Sequence, residues 1–528
     1  MQEPTAAPKR TSPWAWLLCF VTLTVLAIPV AQRLNEPWST SGHSHLTAWF
    51  AMMSETTVEA GFFETRFMPV VSPNPAEFPN FRYYFSHPVL DVMLRAVLMK
   101  FFGTEEWVTR LQGFVGWVIA GFFLFLISRR HFGIAGSIAA LAAFMGMGMG
   151  PEIAMMSLHH PMVMASSMAG LWFFSRYRQK PAAGRQRPTR SYVGMMVCFA
   201  LSMQFDWPGY FAPALVWLST LAWAGSARFD KKLTFGLAIL ASSSVLFHWI
   251  HVDVIAGEPG DLLRALRFAS NTGIGSVYSS AGFPSFFRNL VGGYGVIGLA
   301  VALTSLIQVC FVPQAKHWRK PLLFCFAWGA LNIVAFPHKA PNHTFWSCYW
   351  LPWVAVSYGI CAEVLTQILD RKLGRKTGSW LAVLAIAGFG YAAWTRPIDT
   401  KGITFGTNHR TAAEQLKSAV PKKDRWVFVT NYDSFDGMIM SAYLRTNLLI
   451  CPDVSANDLE PAVKQQLRAN YWHVKNRRVL FYIAEPQDDS SDAILKDRRL
   501  RAELRRIGEP YRGLPNLIDI SEWVWEIE

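Results

Sequence analysis

Long apolar runs, most of them about 20 residues and separated by short polar connections, recur over the first three quarters of this chain and leave few folds open to it. A helix needs roughly 20 consecutive, mostly apolar residues to cross a bilayer, because no water is there to satisfy an exposed backbone. Runs of that kind lie near 14–32, 108–128, 134–150, 160–176, 192–206, 209–226, 233–252, 292–312, 321–337, 346–366 and 378–395. They predict a polytopic α-helical membrane protein with about eleven transmembrane helices. Charge is scarce in the same sense. Only 16% of the residues are charged, against roughly 25% in a soluble domain.

A formal net charge of +14 raises the question of nucleic acid. The placement of the basic residues answers it. Arg129 and Arg130, the group from Arg176 to Arg190, Arg228 with Lys231 and Lys232, Lys316 to Lys320, and Arg371 to Lys376 occupy every second connection. The alternate short connections, around Glu152, Asp206 and His338, carry almost none. Lys and Arg mark the cytoplasmic side of a membrane protein. The bias therefore puts the N-terminus in the cytoplasm, and an odd number of spans puts the C-terminus outside. No nucleic-acid partner is predicted. The first run follows Lys9 and Arg10 and has no convincing small-residue cleavage site, so it reads as a retained anchor in an integral membrane protein, most simply of a bacterial inner membrane.

Two domains are predicted: a transmembrane domain over 1–396 and an extracytoplasmic α/β domain over 397–528. Within the first, the external loops 33–107 and 253–291 are long. Loop 33–107 holds two amphipathic stretches, 43–60 and 88–102, suited to the interfacial plane. In the second domain, strand-like runs (Trp426–Thr430, Leu448–Cys451, Val479–Ile483) alternate with helical patterns (Thr411–Ala419, Leu459–Tyr471, Asp492–Ile507). It has no phosphate-binding glycine loop, and a packing, lid or docking role is expected of it. The seven Cys show no CxxC pair, which argues against a disulfide framework or a zinc ribbon.

Several segments resemble, in order and spacing, the lipid-sugar-dependent glycosyltransferases of the GT-C fold, nearest the protein O-mannosyltransferase and aminoarabinose transferase group. They are HSHLTAWFAMMSETTVEAG after the first span, RYYFSHPVLDVML, FFGTEEWVTRLQGFV, SRRHFG, SLHHPMVM, FDWPGYFAPAL and NHTFWSCYWLPW. The resemblance covers residues 35–365. It implies transfer of a sugar from a polyprenyl-phosphate carrier to an acceptor glycan, lipid or protein at the outer face of the membrane, with a carboxylate as base. This chain departs from the pattern at two positions where the resemblance implies an acid. His43 stands at one and His160 at the other. An imidazole can serve as base near neutral pH. The same departure keeps open a non-catalytic protein that binds lipid-linked glycan or scaffolds an envelope complex. The absence of an internal repeat argues against a transporter.

The candidate residues follow. Asp206, at the outer end of the fifth span, is the leading catalytic carboxylate, because an acid at that depth is expensive to keep. A plain helix cap is its ordinary alternative. His43 and His160 are the other catalytic candidates, with His45 and His159 beside them. Arg82, His87, Lys339, His343 and Arg267, with Arg264, are expected to bind substrate, the cationic ones through phosphate. Glu55 and Glu59 read as a solvated helix face. No cofactor is required by this reading. His43, His160, His343 and Asp206 come from four distant segments, so a divalent metal is compatible with the residue types but not indicated by their spacing.

Overall fold

In a computed structural model of the protein, the described residues are 12–38, 44–71, 83–85, 87–179, 189–222, 229–257, 260–264, 282–311, 315, 318–337, 339, 343–373, 377–395, 400–420, 426–430, 444, 448–450, 458–469, 478–483, 491–511 and 516–520. The chain divides into two compact units. One comprises Met1–Asn35, Tyr84–Arg95 and Trp107–Pro397, the other Glu36–Tyr83, Ala96–Glu106 and Ile398–Glu528.

The first unit is helical. A helix stands at each apolar run read from the sequence: Pro13–Ala31, Glu106–Ser128, Ile134–Gly146 with Met149–Met155, His160–Tyr177, Thr189–Phe205, Phe211–Leu221, Lys231–Trp249, Gly282–Phe311, Arg319–Ala335, Leu351–Leu373 and Gly378–Thr395. Six helices are long and apolar enough to cross a membrane, and up to seven if Ile134–Gly146 and Met149–Met155, bent by 53° at their junction, count as one span. The protein is a largely helical membrane protein. Lys231–Trp249 turns Phe235, Ile239, Leu246 and Phe247 outward, an arrangement tolerable only where the surroundings are apolar.

Ile134–Gly146 is buried from Ala135 to Met145 and forms the centre of the bundle. Its composition explains the position. It is wholly uncharged and rich in Ala and Gly, with one serine near its start, so neighbours can approach closely. A Cβ on Gly136 would lie 2.8 Å from the carbonyl oxygen of Gly359, and one on Gly359 equally close to that of Gly136. His160–Tyr177 packs on Thr189–Phe205 in the same manner. There Gly170 cradles the Phe199 ring and Ser167 and Ser202 share a buried hydroxyl bond of 2.7 Å.

In the second unit the strands Trp426–Thr430 (β1), Leu448–Ile450 (β2), Arg478–Tyr482 (β3), Glu509–Pro510 (β4) and Leu517–Asp519 (β5) form one sheet in the order β2-β1-β3-β5-β4. β1 runs parallel to β2 and β3, while β5 is antiparallel to β3 and β4. Leu459 and Val463 of the helix Leu459–Ala469 and Leu500 and Leu504 of Ser491–Ile507 share a core with Val429, Val479, Phe481 and Ile518. The two short strands β4 and β5 have no clear alternation in the sequence. The loop helices also belong here in part. Ser44–Ala60 lies in this unit, and Glu55, expected on a solvated face, is buried while Glu59 is exposed. Ser54, Thr56 and Thr57 bond to backbone carbonyls one turn back, which allows a polar helix to be buried.

Candidate functional site

The site begins where Thr189–Phe205 ends. Asp206 leaves the helix with extended backbone (φ −170°), and Trp207–Tyr210 makes a single 3₁₀ turn. Gly209 makes that turn possible, because a Cβ there would sit 1.9 Å from the carbonyl oxygen of Ser202. Asp206 therefore precedes a helical turn, as a cap would, yet its side chain makes no capping bond. The carboxylate turns instead into the bundle, where it is fully buried. Oδ1 lies 2.5 Å from Nδ1 of His87 and Oδ2 lies 2.7 Å from Nε2 of His159. The cap alternative is set aside by this geometry.

His87 comes from the segment just before the helix Leu90–Phe102, and His159 from the turn that starts His160–Tyr177. Their rings stack at 4.7 Å, and Tyr84 stacks on the other side of His87 at 5.7 Å. Burial draws His87 below the ordinary histidine range despite the opposing pull of Asp206. It is consequently neutral near pH 7. Next to it, His160 is fully buried and shares a 3.0 Å bond between Nδ1 and the Tyr349 hydroxyl. Its Nε2 has no hydrogen-bond partner among the described residues.

His343 precedes the 3₁₀ helix Thr344–Trp350 and stacks on Phe345, whose ring in turn meets His160. Lys339 is tied to the same loop, its carbonyl accepting the His343 N–H at 2.9 Å. Burial lowers the Lys339 ammonium from the usual lysine range, while the negative charge of Asp206 acts against that shift. Lys339, His343, His160, His87 and Asp206 thus occupy one neighbourhood. Arg264 is paired with Asp261 and largely exposed. His43, Arg82 and Arg267 lie outside the described residues, as does the side chain of His45.

Two further histidines belong to this neighbourhood. His159 has its nitrogen on the Asp206 carboxylate. His248 is buried with its ring edge-on to Trp207, the residue after Asp206. Its only sequence signal is the pair His248 and His251 at the outer end of an apolar run.

The scaffold under the histidines is ionic. Arg95 bonds Asp91 at 2.7 Å and the Ser157 carbonyl at 2.6 Å, Gln112 bonds Asp91, and Ser157 bonds the Thr109 carbonyl. Asp91 follows His87 by four residues, and Ser157 precedes His159 by two. This network ties the two histidine-bearing segments together. Three ligand-type atoms, from His87, His159 and Asp206, lie within 4.8 Å of one another and could hold a metal ion.

Neither a protein-family model nor any curated protein matches the sequence. Two solved structures resemble the chain along its length. ArnT from Cupriavidus metallidurans bound to undecaprenyl phosphate has a TM-score of 0.59 at 13% identity, and ArnT from the same organism in the apo state 0.55 at 14%. Both likenesses cover 96% of this chain and 97% of ArnT. The chain therefore has a GT-C-like fold, similar in architecture to that of ArnT.

Proposed function

We propose that this protein is a membrane glycosyltransferase that moves a sugar from a polyprenyl-phosphate carrier to an acceptor at the outer face of the membrane. The observation that carries this reading is the fully buried Asp206 carboxylate held between His87 and His159. A buried carboxylate held by imidazoles is a feature of sites that do chemistry. The likeness to ArnT, one of whose structures is bound to undecaprenyl phosphate, supports a lipid-phosphate donor.

The acceptor hydroxyl would attack the anomeric carbon. A new bond forms from the acceptor oxygen to that carbon as the bond from the carbon to the phosphate oxygen breaks, and the electron pair leaves on the lipid phosphate. The hydroxyl proton passes to the Asp206 carboxylate or to an imidazole of the cluster, with His160 and His343 the candidates; His43 retains its place from the sequence. Neutral imidazole is suited to that step. Lys339, with Arg82 and Arg267, receives the charge developing on the phosphate. We place the chain across the membrane about eleven times, its N-terminus in the cytoplasm and the domain 397–528 outside in the periplasm.

The test is release of free polyprenyl phosphate when purified protein meets a panel of polyprenyl-phosphate sugars in membrane extract. Release should be abolished in Asp206→Asn and reduced in His160→Ala and His343→Ala. Retention of lipid without release from any donor would overturn the transfer reading. It would favour the binding or scaffold reading, which the histidines at two expected acid positions also support.

A further inference from the structure

The arrangement of His87, His159 and Asp206 goes beyond what a hydrogen-bonded cluster needs. Each imidazole addresses a different oxygen of one carboxylate, and the ligand atoms all lie within 4.8 Å of one another. Zinc bonds to imidazole nitrogen and carboxylate oxygen are about 2.0–2.2 Å long, so two ligands of one ion sit at most about 4.3 Å apart. The two approaches to Asp206, 2.5 and 2.7 Å, are shorter than the spacing across such an ion. Admitting it requires the two rings to back away from the carboxylate.

We propose that His87 Nδ1, His159 Nε2 and the Asp206 carboxylate bind one divalent cation, zinc by preference, leaving a fourth position open to water or a substrate oxygen. Two nitrogens and one carboxylate with an open position form the donor set of a catalytic zinc centre. Magnesium and calcium favour all-oxygen sets and fit less well. The three donors sit on fixed ends: the turn closed at Gly209, the start of His160–Tyr177, and the segment that Asp91 and Arg95 fasten to Ser157. Metal sites depend on such support for their geometry. His87, with 16% of its side chain exposed, gives the ion a way in.

Binding of the ion is independent of the transfer reading; its role rests on that reading. A carboxylate brings negative charge to the site and would repel a lipid phosphate. Adding a divalent ion reverses the sign, so the centre would attract the leaving phosphate and stabilise its charge.

The experiment uses the full chain, purified in detergent through a tag that contains no histidine, stripped with chelator and reloaded with zinc. Metal per chain is read by mass spectrometry and, after cobalt loading, by the visible bands of four-coordinate cobalt. Wild type and His131→Ala, a substitution at an exposed connection, should retain one zinc per chain. His159→Ala and Asp206→Asn should bind it at least about tenfold more weakly. Wild-type protein that reloads to no stoichiometric zinc would overturn the proposal without recourse to any variant. So would zinc retained equally by both ligand variants, since the ion would then sit elsewhere. Stoichiometric zinc without polyprenyl phosphate release would leave the metal site standing and remove the transfer reading. Release by wild-type protein that takes up no zinc would do the reverse.

Discussion

Two buried charged clusters stand close together in the helical unit, and they are finished to different degrees. Around Asp91 the charge is closed. Arg95 neutralises it, Gln112 donates to it, and the guanidinium also holds a backbone carbonyl. Around Asp206 no arginine or lysine makes an ion pair among the described residues, and the carboxylate has only imidazoles on it. A guanidinium stays charged at any pH a protein meets, and this one is taken up by Asp91 and a backbone carbonyl, so the first cluster acts as structure. Imidazoles exchange protons and bind metals, so the second can also do chemistry. The difference separates a scaffold from a site, although both consist of one aspartate and nitrogen donors.

Substitutions put that contrast to the test. The largest effect is expected from Asp206→Asn: polyprenyl phosphate release should fall by about 10²–10⁴-fold, while thermal unfolding in detergent shifts by only a few degrees. A collapse in stability with no selective loss of release would make Asp206 a structural acid and erase the contrast. Arg95→Ala should act the other way round. Loss of one partner from a buried pair costs about 3–5 kcal/mol, so folded yield and melting temperature should fall, and any loss of release should track the unfolded fraction. Gly209→Ala is intermediate. Its Cβ would meet the Ser202 carbonyl, at a cost of about 1–3 kcal/mol, and should displace Asp206, lowering release more than stability predicts. The smallest effect belongs to Tyr349→Phe, which removes the bond to His160 at about 1 kcal/mol. Its readout is release by the folded fraction, and an effect as large as that of Asp206→Asn would place Tyr349 in the reacting group.

The sequence singles out Asp206 but does not distinguish a helix cap from a carboxylate turned into the bundle. The motif Phe205-Asp206-Trp207-Pro208-Gly209 is compatible with either. The decision came from where two imidazoles lie. His159 is hard to read in the sequence for a related reason. Adjacent histidines at a helix start look alike in sequence, and only packing sends His160 to Tyr349 and His159 to Asp206. Glu55 shows the same limit on another helix, where one glutamate of a pair one turn apart is buried and its neighbour exposed.

Membrane character, the positions of the helices and the strands β1 to β3 were determined by the sequence alone. They depend on the apolar content and period of short segments, and backbone hydrogen bonding in an apolar medium enforces them locally. The site was decided only by tertiary structure. His87 and Asp206 are 119 residues apart, and no local pattern encodes their meeting. It follows from how closely helices with glycine at their contacts can pack, and from a turn that folds only because Gly209 has no side chain to oppose it.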